Sequence, residues 1–451
     1  MLKQWRQKWQ QDKQLGIVIR NSGYLFSSNS ISMVLSSLVG LAAALLLGPS
    51  DYGTLGMITL FASSINRLLS FRMGELVVKY AGGALALDDK PRASAIIKFA
   101  AIAESITSIL AYAILVGLAN LAARIIVKDP TVTAYIMIYG LMILGNMLAE
   151  TGTAVLQVTN HFRSQAILNL VQNVTTAVWI GIAFLTTSGL GSILAGYLMG
   201  KMIFGIGTVI LMLVHSPASL GKNWWRTSLK TLPDWRSLAN FAFTTNLSGT
   251  INMVIRDSEV LWVGFFLTKA DAGYYKFALA IMNIILMPIS PFINTTFPQI
   301  SSSVAKFEWR RLKTLLQRTT LIAAAWTAAC AVGLLLVGKP VLGWLKDGAY
   351  LPAYPAILVL LIGFGMANIF FWNRPLLLSL GKPGYPLTVT AITGTVKTVL
   401  MFVLVRPFGI LAQASLMSFY FVVSVGLIVW KGLREIIHQE RIHPDVEETA
   451  Q

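Results

Sequence analysis

Apolar residues run along the chain in twelve long segments that are separated by short polar connections. A helix that crosses a ~30 Å hydrocarbon core needs about 20 residues, and each segment reaches that length. The pattern predicts an all-α polytopic membrane protein with twelve transmembrane helices. The segments cover approximately residues 23–47, 53–80, 94–119, 133–156, 164–187, 190–213, 238–266, 273–299, 315–337, 353–380, 385–405 and 409–430.

Lysine and arginine residues are divided unevenly between the two sides of the membrane that these segments define. With the N-terminus inside, the inner connections and termini hold 21 of these residues and the outer connections hold 6. Because positively charged connections stay on the cytoplasmic side, we expect a multi-pass protein of the cytoplasmic (inner) membrane with both termini in the cytoplasm. The same bias explains most of the net charge of +17, so nucleic acid is not expected as a partner.

Composition and motifs exclude several classes of protein, among them soluble domains and metalloproteins. The chain is 55% hydrophobic and 12% charged, whereas soluble domains carry about 25% charged residues. Cys330 is the only cysteine, and the four histidines show no metal-ligand spacing, so no metal or other cofactor is expected. No P-loop pattern occurs. The outer connections are too short to carry the chemistry of a membrane polymerase or ligase, and the sequence therefore favours a transporter over an enzyme.

A repeat divides the chain into halves. Leu47–Gly53 and Leu267–Gly273 both read L-x-x-x-D-x-G at an offset of 220 residues. Two six-segment halves of equal orientation should be pseudo-symmetric lobes with a substrate path between them. The expected organisation is an interfacial N-terminal segment (1–22), an N-lobe (23–213), a cytoplasmic linker (214–236) that forms an interfacial helix, a C-lobe (237–432) and a cytoplasmic tail (433–451).

Several charged residues fall inside the apolar segments. The second segment alone contains Arg67, Arg72, Glu75 and Lys79. A charge at such a depth costs about 2.5–3.5 kcal/mol on insertion scales, so it normally faces a partner or a water-filled cavity. Two interpretations remain open, because Arg72 could pair with Glu75, and Arg256 with Glu259, as packing ion pairs.

Polar side chains recur at helical spacing on several segments. They favour a central hydrated cavity, although hydrogen bonds between helices use the same residue types. Pro288 and Pro291 should break the eighth segment near that cavity. The expected cavity-lining amides are Asn146, Asn173, Asn252, Asn294 and Asn368.

Two short motifs carry a resemblance to a known family. G-P-S-D-Y-G at residues 48–53 and G-E-L-V-V-K-Y at residues 74–80, together with two six-helix lobes, resemble the polysaccharide-flippase branch of the MOP superfamily. The Wzx-type O-antigen and exopolysaccharide flippases are nearest in pattern. The resemblance implies a MOP/MATE-like fold and a flippase for cell-surface polysaccharide biosynthesis. Such a flippase moves an undecaprenyl-pyrophosphate-type lipid-linked oligosaccharide from the inner to the outer leaflet by alternating access. Its partners would be membrane lipids and polysaccharide polymerase or assembly proteins.

The implied substrate assigns roles to the intramembrane charges. Arginine is the favoured planar ligand for a pyrophosphate, which points first to Arg67, Arg72 and Arg374 and then to Arg256 and Lys397. Outward movement could be coupled to a proton or to the membrane potential. The coupling candidates are Glu150, Glu259 and Asp257. The alternative is a MATE-type proton- or sodium-coupled exporter of organic cations, for which the intramembrane acids would dominate the cavity.

Overall fold

The computed structural model of the chain describes residues 13–232 and 253–442 and, between these ranges, residues 236, 238–241, 246 and 250. Side chains are described from residue 27 onward, except those at 291 and 294. Every regular element in this part of the chain is helical. The predicted all-α class is therefore confirmed.

The α-helices are numbered here in chain order. They are α1 (Lys13–Leu69), α2 (Met73–Leu76), α3 (Gly82–Ala86), α4 (Lys90–Ala122), α5 (Thr133–Gly145), α6 (Ala149–Val158), α7 (Phe162–Leu185), α8 (Leu190–Leu220), α9 (Glu259–Phe266), α10 (Lys269–Leu286), α11 (Ser290–Ala305), α12 (Trp309–Gly333), α13 (Lys339–Trp344), α14 (Tyr354–Ile369), α15 (Asn373–Ser379) and α16 (Gly384–Ile442). Four π-helical turns lie at Val77–Ala81, Ala123–Val127, Met253–Asp257 and Leu334–Gly338. Short 3₁₀ turns lie at Pro130–Val132, Trp224–Arg226, Leu229–Thr231, Leu345–Gly348 and Leu351–Ala353.

Eight helical stretches within the described residues are long and apolar enough to cross a membrane. Two of them are double, because α1 and α16 are interrupted at Gly48 and Gly409, whose φ angles are 75° and 68°. Counted as two each, they account for ten of the twelve predicted segments. The seventh segment lies partly outside the described residues and the eighth is divided between α10 and α11, so the number twelve stays a prediction.

One helix break was predicted from the sequence, and another was not. The predicted break of the eighth segment is confirmed, since α10 ends at Leu286 and α11 begins at Ser290. The second segment was expected as one helix and is not, because α1 ends at Leu69 and Arg72 adopts a left-handed conformation before α2.

The linker prediction of an interfacial helix is wrong for the described residues. Helix α8 extends to Leu220, and two short 3₁₀ turns follow it. Trp224 packs into a buried core with residues of α2, α4 and α6 instead of lying on a helical surface. Burial of its indole therefore replaces the expected amphipathic arrangement.

The chain forms two compact units. The first comprises Met1–Leu46 and Met57–Val254, and the second comprises Leu47–Gly56 and Ile255–Gln451. In the first unit, Leu76, Ile96 and Val155 belong to one apolar core. In the second, Phe266, Met401 and Leu416 belong to another. The domain boundaries expected from the sequence stay predictions.

The two copies of the L-x-x-x-D-x-G motif touch each other within the second unit. A Cβ atom on Gly53 would lie 2.0 Å from the main-chain oxygen of Lys269, and one on Gly273 would lie 1.8 Å from that of Pro49. Pro49 and Lys269 occupy equivalent positions of the repeat, as do the two glycines. The contact is therefore reciprocal, and only a residue without a side chain permits this backbone approach.

Candidate functional site

The first unit contains a polar cavity of about 820 Å³. Its walls come from the end of α1, the residues up to Lys79, and parts of α4, α5, α6 and α8, with Asn246. Its charged lining residues are Arg67, Arg72, Glu75, Lys79, Glu104, Glu150 and Lys201. Four bases and three acids therefore share one cavity.

The break after α1 places Arg67 and Arg72 at this cavity. The main-chain nitrogen of Arg72 donates to Ser70 Oγ (3.3 Å), a local bond that competes with helix continuation. Asn246 Nδ2 donates to the main-chain oxygens of Leu68 (3.2 Å) and Ser70, which the ended helix leaves available. A distant side chain thus stabilises the open turn.

A second helix break, between α5 and α6, positions two of the acidic residues that line the cavity, Glu104 and Glu150. Glu104 on α4 is buried, and its two carboxylate oxygens accept from the main-chain nitrogens of Glu150 (2.9 Å) and Thr151 (3.0 Å). A carboxylate at a helix N-terminus satisfies amide groups that have no partner inside the helix and also opposes the helix dipole. Asn146 supports the break by donating to the main-chain oxygens of Met142 (2.8 Å) and Lys201 (3.1 Å).

Glu150 connects the two breaks. Ser70 Oγ donates to Glu150 Oε1 at 2.6 Å, while Glu150 Oε2 is buried without a hydrogen-bond partner in the described part of the chain. Glu104 lies close enough to interact electrostatically with Glu150. Through Ser70, Glu150 therefore links the end of α1 to the first turn of α6.

The bases of the cavity have different surroundings. Arg72 pairs with Glu75 at 2.6 Å, with 41% and 49% of the two side chains exposed, which confirms the packing alternative for this pair. The Lys79 ammonium lies 4.3 Å from the centre of the Phe241 ring. Arg67 is exposed and lines the cavity.

A smaller group of predicted residues lies in the second unit. Arg256, Asp257 and Arg374 are exposed and all act electrostatically on the Tyr420 hydroxyl. The Arg256 guanidinium lies 5.4 Å from the centre of the Phe421 ring. The structure thus brings Arg256 and Arg374 to one region.

Lys397 and Glu259 form a separate buried ion pair in that unit, with 2% and 1% of their side chains exposed. Of the two interpretations left open for Arg256, the one that pairs it with Glu259, three residues away, is wrong. The side chains of Lys397 and Glu259 are both enclosed by the packed helices of that unit.

The predicted amides are divided between cavity and packing roles. Asn146 lines the cavity of the first unit. Asn173 donates to the main-chain oxygen of Asn169 (2.7 Å), and buried Asn368 donates to Thr327 Oγ1 (3.0 Å). The Asn368 bond joins α14 to α12, as the packing alternative expects, whereas the Asn173 bond lies within α7. Asn252 and the side chain of Asn294 lie outside the described residues.

Lys79, Glu104, Lys201 and Asn246 are among the residues that line the cavity but were not predicted as site residues. Their signal was a charged or amide side chain inside an apolar segment. Glu104 is followed at helical spacing by Thr107 and Ser108, and all three line the cavity, so this polar face was also a usable signal.

Comparison with known proteins identifies the family of the chain. Residues 42–353 match the family described as "Polysaccharide biosynthesis protein". The chain is 23% identical over 369 residues to the "Inner membrane protein YghQ" of Escherichia coli (strain K12), an alignment that covers 77% of this chain and 98% of that protein.

Two solved structures share the fold. One is an inward-facing multidrug resistance MATE family transporter of the MOP superfamily, with a TM-score of 0.71, 12% identity, and coverage of 92% of this chain and 96% of the other. The second is the lipid II flippase MurJ in an inward closed conformation, with a TM-score of 0.69, 12% identity, and coverage of 90% and 88%. Because the family match spans more than half of its residues, the chain belongs to the polysaccharide biosynthesis protein family, with the fold of the MOP superfamily.

Proposed function

We propose that the chain is a flippase that moves a polyprenyl-pyrophosphate-linked oligosaccharide from the inner to the outer leaflet of the membrane. The two compact units would alternate access to the substrate, and the product would enter cell-surface polysaccharide biosynthesis. Family membership and the likeness to MurJ support a lipid-linked substrate.

The observation that carries the proposal is the cationic part of the first unit's cavity. Arg67, Lys79 and Lys201 line it together with Arg72, and a pyrophosphate needs several positively charged donors. Glu75 already neutralises Arg72 in part, and Glu104 is engaged by main-chain amides. Arg67, which is exposed and lines the cavity, is the first choice for the headgroup ligand, and Arg72 becomes one when Glu75 is displaced.

The second unit offers a second set of ligands. Arg374 and Arg256 are exposed beside Tyr420, and their guanidinium groups would bind the same headgroup at another stage of transport. Lys397 would contribute only after separation from Glu259, because the pair is buried.

Coupling is assigned first to Glu150. Its carboxylate lines the same cavity as the four bases, so a change in its charge would change how strongly an anionic headgroup is held there. Asp257 and Glu259 remain the coupling candidates of the second unit.

One observation favours a second candidate function, a MATE-type exporter of organic cations. Glu75, Glu104 and Glu150 line the same cavity, and three carboxylates could attract a cation as well as regulate an anion. The likeness to a multidrug MATE transporter is equally consistent with this function.

The test uses the purified chain in liposomes with a labelled undecaprenyl-pyrophosphate oligosaccharide. Arg67→Ala removes a charged hydrogen-bonding group worth about 1.5–3 kcal/mol, so translocation should fall about 10- to 100-fold. Arg67→Lys should recover only part of the rate, because an ammonium lacks the planar donor pair.

The matched control is Arg124→Ala, an exposed arginine that bonds Asn120 (3.1 Å) outside the cavity, and its rate should equal that of the wild type. An unchanged rate in Arg67→Ala would reject the site and keep the function. A wild-type protein that moves no lipid but exports a cationic dye along a proton gradient would establish the second candidate.

A further inference from the structure

The second unit contains a fully buried cluster of polar groups around the Lys397–Glu259 pair. Lys397 belongs to α16, and Glu259 is the first residue of α9. Tyr275 of α10 and Gln413 of α16 complete the cluster, and both are wholly buried. The cluster therefore joins three helices without contact with water.

Each donor of the Lys397 ammonium group has an acceptor. Lys397 Nζ donates to Glu259 Oε1 and to the main-chain oxygen of Ile255, and it lies 3.7 Å from the sulfur of Met417. Ile255 belongs to the π-helical turn that immediately precedes α9. Such turns are rare inside helices and often mark functional positions.

Tyr275 and Gln413 hold the second oxygen of the Glu259 carboxylate. Glu259 Oε2 accepts from Tyr275 (2.7 Å) and from Gln413 Nε2 (2.6 Å). Gln413 Oε1 is buried and has no hydrogen-bond partner within the described residues. The two oxygen atoms that Lys397 Nζ contacts, a carboxylate oxygen and a main-chain carbonyl oxygen, are ligand types that hard cations bind.

We propose that this cluster is a monovalent-cation site whose resident occupant is the ammonium group of Lys397. Buried Glu259 requires a positive charge beside it, and the lysine side chain delivers that charge to the position a free ion would take. The second unit thus carries its counter-ion covalently. Occupancy of the site is independent of the sodium concentration, and a small free cation can replace the amine once the side chain is shortened. The inference does not depend on what the protein transports.

The test is thermal unfolding of the purified full chain in detergent. Lys397→Ala should have a lower Tm than the wild type in choline chloride, because Glu259 is left buried and uncompensated. Ammonium, methylammonium or sodium chloride at the same ionic strength should recover most of the lost Tm in the millimolar range. The wild type should show no difference between the salts.

Two variants make the result specific. In Lys397→Met/Glu259→Gln the carboxylate charge is absent, so the Tm should be the same in all salts. Lys276→Ala removes another lysine of the same unit, whose ammonium lies over the Tyr52 ring (4.1 Å) instead of on a carboxylate, and no recovery is expected.

A folded Lys397→Ala protein with the same Tm in choline, ammonium, methylammonium and sodium chloride would overturn the proposal. Equal recovery in the double variant would overturn it too, because the effect would then not involve Glu259. If Lys397→Ala yields no folded protein, Lys397→Gln is measured by the same criteria, since its amide still donates to the carboxylate but carries no charge.

Discussion

Glu104→Gln should loosen the first turn of α6. The carboxylate accepts two main-chain N–H groups, from Glu150 and Thr151, whereas glutamine offers one oxygen and turns its NH₂ group toward the other N–H. One charge-assisted bond, about 1.5–3 kcal/mol, is lost, and a buried amide is left without an acceptor. The interaction with the helix dipole disappears as well. Together these losses give an expected cost of about 2–4 kcal/mol for local opening.

Amide hydrogen exchange measures this cost at the site itself. A tenfold change corresponds to about 1.4 kcal/mol, so the amides of Glu150 and Thr151 should exchange roughly 30- to 1,000-fold faster than in the wild type. The matched control is Glu75→Gln, which removes the acid of a half-exposed ion pair with Arg72 worth about 0–1 kcal/mol. Exchange at residues 150 and 151 should be unchanged in that variant.

Exchange rates in Glu104→Gln within twofold of the wild type would refute the reasoning. The break between α5 and α6 would then be stabilised by Asn146 and by packing, and the buried carboxylate would have no structural part in it.

Two further predictions concern other parts of the fold. Gly273→Ala should greatly reduce the yield of folded protein, since its Cβ would lie 1.8 Å from a main-chain oxygen, whereas Gly426→Ala, with no atom within 4 Å, should fold like the wild type in size-exclusion chromatography. Similar yields of both variants would contradict the backbone contact. His161 lies between α6 and α7, and burial together with the neighbouring ring of His215 lowers its pKa. The rings are stacked with centres 3.9 Å apart. The folded protein therefore binds fewer protons than the unfolded chain between this lowered pKa and about 6.5, and stability should decrease as the pH falls below about 6.5. His161→Gln should flatten this part of the Tm–pH profile, and an unaltered slope would argue against the assignment.

Periodicity and composition were sufficient to predict the helical fold, and the short motifs were sufficient to identify the family. Local spacing also predicted the Arg72–Glu75 pair, which forms even though the helix around it is shorter than expected. Interactions between residues three or four positions apart can be read from sequence because the helix itself brings them together.

The helix break at Ser70–Arg72 could not be predicted in the same way. The turn contains no proline or glycine, and its partners Glu150 and Asn246 are 80 and 176 residues from Ser70. Glu259 is a similar case. Its partner Lys397 is 138 residues away, whereas Arg256 is only three residues away in the preceding π-helical turn. A single sequence does not show that an acid will pair with a distant base instead of a near one. In the structure the pair forms with Lys397, which is buried together with Glu259.

The reciprocal contact between Gly53 and Gly273 has a consequence for the ancestry of the chain. Equivalent residues of two equivalent segments meet each other, as they do in the isologous interface of a homodimer. If the repeat arose by gene duplication, two copies of a half-length ancestor could have associated through this same patch before the halves were fused. Any substitution in that ancestor would have introduced two side chains at one point of contact. In the fused chain the two glycines are encoded separately, so a substitution at one of them adds a side chain on one side of the contact only.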